Sequence, residues 1–297
     1  MRKAPFITLN NGVKIPALGL GVLGREAPEL VTPSVEKAIA AGYRLIDTAA
    51  AYGNERQVGE GIARSGIDRS EIFVTTKLWL TQYGYDEALR GFDASLRRLE
   101  LDYVDLYLPH WPVPSDFEAT IQSYLAAEKL LEQGRVRAIG VSNFGAGDLA
   151  KLLKRTQTVP AVNQIELHPY FSQKAAKADH SRLGILTEAW SPLGGSVRRA
   201  GNASKSDNPL ANPTIVALAE KYGKTPAQVV LRWHVEHGIC AIPKSFRPAC
   251  IEENFDIFDF ALSREDIVAI DALDTGMRSG PDPEAVHAKT FPITVED

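Results

Sequence analysis

The sequence has few cysteines, no long apolar run and no large excess of either charge. Its two cysteines, Cys240 and Cys250, are too few for a disulfide framework or a four-cysteine zinc site, and we expect both to be reduced. No stretch approaches the roughly 20 apolar residues of a membrane-spanning helix, and polar Asn10-Asn11-Gly12 leaves no room for an apolar signal core. The formal net charge of −4 argues against a nucleic-acid-binding surface covering the protein. These features favour a soluble, cytoplasmic protein.

Short apolar runs rich in β-branched residues alternate with longer amphipathic stretches. After an N-terminal hairpin around Asn10-Asn11-Gly12, the predicted strands are 16–21, 44–48, 72–76, 103–108, 136–141, 161–167, 185–190 and 239–243. The predicted helices are 32–41, 55–65, 86–99, 117–133, 146–155, 173–183, 213–222, 226–237, 249–256 and 264–273. Eight such units predict an α/β fold, a single (β/α)₈ barrel domain over 1–297 with extra helices and a C-terminal loop.

A glycine motif near the N-terminus invites a second interpretation. Gly19-Leu20-Gly21-Val22-Leu23-Gly24 matches the G-x-G-x-x-G pattern of dinucleotide-binding βαβ folds. That mechanism needs a helix to begin within the glycine turn. Pro28 and Pro33 instead place the helix start near Thr32, since proline suits only a first helical turn. We therefore interpret the glycines as a flexible first βα loop.

Three successive predicted strands end in residues that can carry chemistry. The second strand ends at Asp47 and leads to Tyr52, the third leads to Lys77, and the fourth leads to His110. The C-terminal strand ends of a (β/α)₈ barrel meet at its active-site mouth. Each residue alone has an ordinary explanation, as a turn former, a solvated cation or a core histidine. Their coincidence at one rim favours catalysis.

A phenol beside an ammonium group is suited to carbonyl reduction. An unperturbed tyrosine has a pKa of about 10, and a neighbouring ammonium lowers it by favouring the phenolate. A carboxylate would keep that ammonium charged, and a histidine could orient a substrate carbonyl by a hydrogen bond. Such a site stabilises the alkoxide that forms when a hydride adds to a carbonyl.

Seven motifs carry a resemblance to a known family. They are DTAAAYGNE (47–55), TKLW (76–79), LPHWP (108–112), GVSNF (140–144), VNQIELHP (162–169), WSPLG (190–194) and IPKS (242–245). In this order the chain resembles the aldo-keto reductase superfamily over residues 6–274, and most closely its bacterial 2,5-diketo-gluconate reductase-like members. The resemblance implies a barrel that binds NADP(H) without a Rossmann domain and without a metal.

The resemblance also implies roles for individual residues. Tyr52 would be the general acid, its pKa lowered by Lys77 and Asp47, and His110 would orient the carbonyl. Cofactor contacts would come from Ser142, Asn143 and Gln164 at the nicotinamide carboxamide, Trp190 stacked on its ring, and Ser191, Leu193 and Gly194 at the pyrophosphate. Leu23, Trp79 and Trp111 would line the substrate pocket.

The expected adenosine end departs from the family pattern at one position, Cys250. The resemblance implies that Lys244, Ser245 and Arg247 bind a 2′-phosphate and that Glu253 and Asn254 meet the adenine amine. Cys250 stands where a second arginine is common in the family. A thiol lacks the bidentate grip of arginine on phosphate, so we expect a reduced preference for NADPH and possible use of NADH.

Specificity in the family depends on loops, here 112–118, 195–212 and the tail after residue 274. Arg198, Arg199 and Lys205 lie in the second loop, where they would clamp the pyrophosphate, attract an acidic substrate or be simply solvated. Family analogy favours a monomer. The motifs favour reduction of a small-molecule aldehyde or ketone. The alternatives are a non-catalytic cofactor-binding barrel, acting as a sensing or interaction subunit, and a metal-dependent hydrolase barrel.

Overall fold

The computed structural model describes residues 4–194 and 208–295. The chain begins with an antiparallel hairpin, β1 (Phe6–Thr8) and β2 (Lys14–Pro16), in which Thr8 pairs with Lys14. Asn11 Oδ1 accepts from the Val13 amide, and Gly12 turns the chain at a φ of 85°, a conformation that glycine adopts without steric cost. The predicted hairpin is therefore confirmed.

The remaining strands and helices alternate as predicted. The strands are β3 (Leu20–Gly21), β4 (Leu45–Asp47), β5 (Phe73–Leu78), β6 (Val104–Pro109), β7 (Val136–Ile139), β8 (Val141–Ser142), β9 (Val162–Glu166), β10 (Leu186–Trp190) and β11 (Cys240–Ala241). The helices are α1 (Val31–Ala41), α2 (Glu55–Arg64), α3 (Tyr85–Leu99), α4 (Phe117–Glu132), α5 (Ala146–Leu153), α6 (Lys174–Leu183), α7 (Pro213–Tyr222), α8 (Pro226–Glu236), α9 (Pro248–Phe255) and α10 (Arg264–Asp271).

The parallel strands close into a (β/α)₈ barrel. Strands β3 to β7 pair in sequence order, and so do β8 to β11. Gly140, between β7 and β8, donates its amide to the Tyr107 carbonyl of β6 and joins the two sets. Parallel bridges from Leu18 to Ala241 and from Gly21 to Lys244 close the circle. The predicted fold class is confirmed.

The predicted strand 136–141 is divided at Gly140. A Cβ atom there would lie 2.5 Å from the Val162 carbonyl oxygen and 2.8 Å from the Leu108 side chain. The close approach of β6 and β9 thus requires glycine, and it interrupts the regular pairing. Periodicity could not show this, because the contact joins residues distant in the sequence.

The barrel interior is apolar at the end where the strands begin. Leu9 and Ile15 of the hairpin region are buried with Leu45, Phe73 and Leu106 in one cluster. The hairpin therefore packs against that end of the barrel. No helix in the described ranges combines the length and apolarity needed to cross a membrane.

The glycine motif has a structural role that the sequence interpretation missed. Helix α1 begins at Val31, well after the glycines, as the proline argument predicted. The prediction of a flexible glycine loop is wrong for Gly19 and Gly21. A Cβ on Gly19 would lie 2.5 Å from Leu45 Cγ, and one on Gly21 would lie 2.9 Å from the Ile242 carbonyl oxygen. These glycines allow close packing between neighbouring barrel strands.

Candidate active site

A cavity of about 750 Å³ opens at the C-terminal ends of the strands. It is lined by Gly21, Val22, Leu23, Asp47, Tyr52, His110, Trp111, Ser142, Asn143, Gln164, Trp190, Ser191, Pro192, Leu193, Leu210, Ile242, Pro243, Lys244, Pro281 and Phe291. Most of the residues singled out from the sequence thus face one space. Its apolar walls and few polar groups are typical of a small-molecule site.

A buried ion pair lies at the floor of this cavity, where Asp47 belongs to the lining and Lys77, bound to it, does not. Lys77 Nζ lies 2.5 Å from Asp47 Oδ1 and donates to the Thr48 carbonyl at 2.9 Å. Burial opposes the charge on Lys77, but Asp47, Tyr52 and Glu188 together outweigh it and raise the pKa of the ammonium. Burial raises the pKa of Asp47, and the Lys77 ammonium opposes that rise. Because the two charges touch, each keeps the other ionised.

Tyr52 lies above this pair on a single 3₁₀ turn, Ala50–Tyr52. Gly53 ends the turn in the left-handed region, with a φ of 65°. Lys77 Nζ lies 5.1 Å from the centre of the half-buried Tyr52 ring. Ammonium and phenol are therefore close enough to interact electrostatically.

His110 is the second group that reaches the cavity beside Tyr52. Their ring centres lie 5.7 Å apart, nearly edge to face. Burial, together with the Lys77 charge, lowers the pKa of His110 well below its usual value. The imidazole is thus neutral at pH 7, and its N–H can donate a hydrogen bond without transferring a proton.

An amide cluster around Gln164 and Asn143 also lines the cavity. Gln164 donates from Nε2 to Asp47 Oδ2 and to Glu188 Oε2, both at 2.8 Å. Asn143 Oδ1 accepts from Trp190 Nε1 at 2.8 Å. Ser142 Oγ donates to the Gln164 carbonyl at 2.9 Å. These residues hold one another in place and leave Gln164 Oε1 as an acceptor for a ligand.

Comparison with known proteins agrees with this geometry. The sequence model of the Aldo/keto reductase family matches residues 17–275. The chain belongs to the aldo/keto reductase family. It is 56% identical to morphine 6-dehydrogenase of Pseudomonas putida, covering 97% of this chain and 98% of that protein. It is 46% identical to glyoxal reductase of Bacillus subtilis, covering 94% and 96%.

A solved structure agrees as well. The chain is 36% identical to the Bombyx mori aldo-keto reductase in complex with NADP, with a TM-score of 0.88 and full coverage of both chains. The chain is thus an oxidoreductase of this family, as the motifs predicted. Across residues 4–194 and 208–295, no group of three or more His, Cys, Asp or Glu side chains is arranged to hold a metal ion.

The expected pyrophosphate residues follow β10 in this aldo/keto reductase. Ser191 and Leu193 line the cavity. Gly194 has a φ of 68°, and a Cβ there would lie 2.8 Å from the Pro209 ring. The basic residues Arg198, Arg199 and Lys205 lie outside the described residues.

The expected adenosine-end residues are only partly brought to the cavity. Lys244 lines it, with its Nζ 4.0 Å from the centre of the Phe246 ring. The described lining does not extend to Ser245, Arg247, Glu253 or Asn254. Glu253 Oε1 accepts from Thr225 Oγ1 at 2.8 Å, so this carboxylate is tied to the start of α8. Cys250 is half-buried on α9.

The expected substrate residues separate into two groups. Leu23 and Trp111 line the cavity. Trp79 stands behind His110, with ring centres 5.2 Å apart, and its Nε1 donates to the Ile293 carbonyl at 3.1 Å. Trp79 thus supports His110 and holds the C-terminal tail.

The tail supplies residues that sequence reasoning did not single out. Pro281 and Phe291 line the cavity. Glu166 anchors the tail: it accepts from the Ser279 amide at 2.8 Å and the Gly280 amide at 2.9 Å. Burial opposes the charge on Glu166, but hydrogen bonds from His168 and Ser279 outweigh it and lower its pKa. A carboxylate inside the VNQIELHP motif was the available signal.

Gly280 lies against the ring expected to face the nicotinamide. A Cβ there would lie 2.3 Å from Trp190 Cη2 and 2.9 Å from Glu166 Oε2. We expect Gly280→Ala to displace Trp190 or the tail and to lower kcat/KM about tenfold, because small misplacements at a reacting centre are costly. Gly147→Ala is the matched control, since a Cβ there meets nothing within 4 Å. Equal kcat/KM for both variants would contradict this expectation.

Proposed function

We propose that this chain reduces an aldehyde or ketone to the alcohol with NADPH, and that Tyr52 donates the proton. The observation that carries the proposal is the proximity of Tyr52 to the Asp47–Lys77 ion pair at the cavity floor, with neutral His110 beside them. The Lys77 ammonium would stabilise the phenolate left on Tyr52, and His110 would donate to the substrate oxygen.

The amide cluster fits the cofactor. Gln164 donates both Nε2 hydrogens to carboxylates. Its Oε1 is therefore the atom available to a ligand, and it is an acceptor suited to the N–H of a carboxamide. The half-buried ring of Trp190 borders the same space and offers a face for stacking. Ser191, Leu193 and Gly194 would follow the pyrophosphate, with Lys244, Ser245 and Arg247 at the 2′-phosphate and Glu253 and Asn254 at the adenine. When bound, NADPH supplies the hydride.

We propose a small carbonyl substrate and a place among the 2,5-diketo-gluconate reductase-like members. The aromatic mouth formed by Trp111, Phe291 and Tyr52 supports a compact, partly apolar substrate. Relatives named for glyoxal and for morphine show that similar chains act on differently sized molecules. We further propose a single-domain, cytoplasmic monomer. Its two free cysteines agree with a reducing compartment.

The function is tested by following the loss of reduced nicotinamide absorbance. The purified chain is mixed with NADPH or NADH and a panel of aldehydes and diketones. Turnover with NADPH is the expected result. Tight NADPH binding with no turnover over the whole panel would contradict the proposal and favour the non-catalytic sensing barrel.

Cys250 allows a test of cofactor choice. We expect Cys250→Arg to increase the NADPH over NADH preference about ten- to hundredfold, because one charge-assisted phosphate contact contributes about 1.5–3 kcal/mol. Cys250→Ser is the control and should leave the ratio of the two kcat/KM values unchanged. A Cys250→Arg variant with the ratio of the unmodified enzyme would show that residue 250 does not reach the 2′-phosphate.

A further inference from the structure

Glu188 is a buried carboxylate that the proposed reaction does not use. It lies on β10 two residues before Trp190, and it pairs in register with Gln164 of β9 and Cys240 of β11. It is fully buried inside the barrel. Its Oε2 accepts from Gln164 Nε2 at 2.8 Å, and its Oε1 accepts from Cys240 Sγ at 3.4 Å.

Glu188 decides the net charge beneath the cavity floor. Asp47 and Lys77 cancel each other, because they form a contact ion pair. His110 is neutral at pH 7, and burial, with the nearby Glu188, raises the pKa of the Cys240 thiol and keeps it protonated. Of the titratable groups that the described structure packs around Gln164, Glu188 is therefore the one whose ionisation leaves an unbalanced charge.

Glu188 ionises near neutral pH. Burial, reinforced by the nearby Asp47 carboxylate, raises the pKa of Glu188 to about 7. The two carboxylates share the amide of Gln164 and therefore titrate as a coupled pair. Lys77 contacts Asp47 directly and stabilises its ionised form. When the two carboxyls hold a single proton, that proton therefore resides on Glu188.

We propose that Glu188 is a positioning residue that links nicotinamide redox state to pH. By accepting one Nε2 hydrogen while Asp47 accepts the other, it fixes Gln164 with Oε1 towards the cofactor. Once ionised, it places a negative charge below the nicotinamide subsite. The oxidised ring is cationic and the reduced ring is neutral, so this charge favours NADP⁺ over NADPH. This inference rests on the proposed cofactor.

The test is equilibrium binding of NADP⁺ and NADPH from about pH 6 to pH 8.5. In the unmodified enzyme, the Kd ratio of NADP⁺ to NADPH should fall about three- to tenfold as pH rises, the order of magnitude expected for one buried unit charge acting across part of the barrel. The 2′-phosphate also titrates near pH 6, but it is common to both forms and cancels in the ratio. A flat ratio in the unmodified enzyme would overturn the inference.

Two variants assign the effect to Glu188. Glu188→Gln keeps the size and an acceptor for Gln164, and its ratio should not vary with pH. Glu188→Asp keeps a titratable carboxyl at another depth, and its ratio should still fall, with a shifted midpoint. A purely structural role would weaken both forms equally and leave the ratio unchanged.

Three kinds of result count against the proposal in different ways. If Glu188→Gln keeps the pH dependence of the unmodified enzyme, or the Glu188→Asp midpoint does not move, the inference fails. If both cofactor forms bind tightly with a flat ratio, the inference fails alone. If neither form binds at any pH, the proposed function fails and takes the inference with it.

Discussion

Replacing Tyr52 with phenylalanine is expected to lower kcat by about 10²–10⁴-fold, the usual contribution of a positioned general acid. Phenylalanine keeps the ring that lies 5.7 Å from His110 and near Lys77, so the cavity keeps its shape. The NADPH Kd should therefore be unchanged. Stopped-flow hydride transfer and equilibrium cofactor binding measure the two quantities separately.

Tyr124→Phe is the matched control for this experiment. Its hydroxyl donates to the Thr158 carbonyl at 3.1 Å, away from the cavity lining. Losing that bond should reduce stability by about 1 kcal/mol and leave kcat unaltered. Near-normal turnover by Tyr52→Phe would exclude Tyr52 as the proton donor, and loss of NADPH binding would indicate a structural effect.

Lys77→Met is expected to affect stability and turnover together. It leaves the Asp47 carboxylate buried without its counter-ion, which costs about 3–5 kcal/mol of folding free energy. It also removes the charge expected to stabilise the Tyr52 phenolate, so kcat should fall about 10²-fold or more. Denaturant unfolding and steady-state kinetics measure the two losses.

The pH dependence of this loss has a definite sign. Burial already raises the pKa of Asp47, and the variant lacks the ammonium that opposes the rise. When the pKa of a carboxyl is higher in the folded than in the unfolded state, the protein loses stability as pH rises above the unfolded-state pKa, near 3.9. The loss of unfolding free energy in Lys77→Met, measured against the unmodified enzyme at the same pH, should therefore be smaller near pH 5 than near pH 8.

The double variant Asp47→Asn/Lys77→Met separates folding from chemistry. An asparagine at 47 is neutral and keeps an acceptor for Gln164 Nε2, which now donates to Asp47 Oδ2. Most of the lost stability should return, because the Asp47 charge is removed together with its counter-ion. Turnover should not return. Recovery of activity in the double variant would show that the ion pair serves only the fold.

The sequence could place the four motif residues near one another because they lie at strand ends, and their catalytic roles stay a prediction. Asp47, Tyr52, Lys77 and His110 follow neighbouring parallel strands, and a barrel brings such ends to one rim. Their protein partners required coordinates. The structure shows that Trp79 holds the tail at Ile293, a contact across 214 residues of sequence.

The tail and the glycines illustrate what periodicity omits. Residues 275–295 have little regular structure, so no repeat could place Phe291 in the cavity or Gly280 against Trp190. The glycine motif matches the G-x-G-x-x-G pattern, but no helix begins within the glycine turn. At both Gly19 and Gly21 a Cβ atom would clash with a neighbouring strand, and the atoms it would meet belong to residues distant in the sequence.

The sequence by itself determined the order of strands and helices and the barrel, and it placed four candidate catalytic residues at neighbouring strand ends. These follow from local periodicity and from motif residues that stand next to strand ends. Only the tertiary structure decided which buried side chains lie close enough to change one another's pKa. Glu188 is an ordinary strand residue in the sequence, yet the register of β9, β10 and β11 buries it between Gln164 and Cys240. Ionisation depends on burial and on neighbouring charges, and the folded chain alone brings both together.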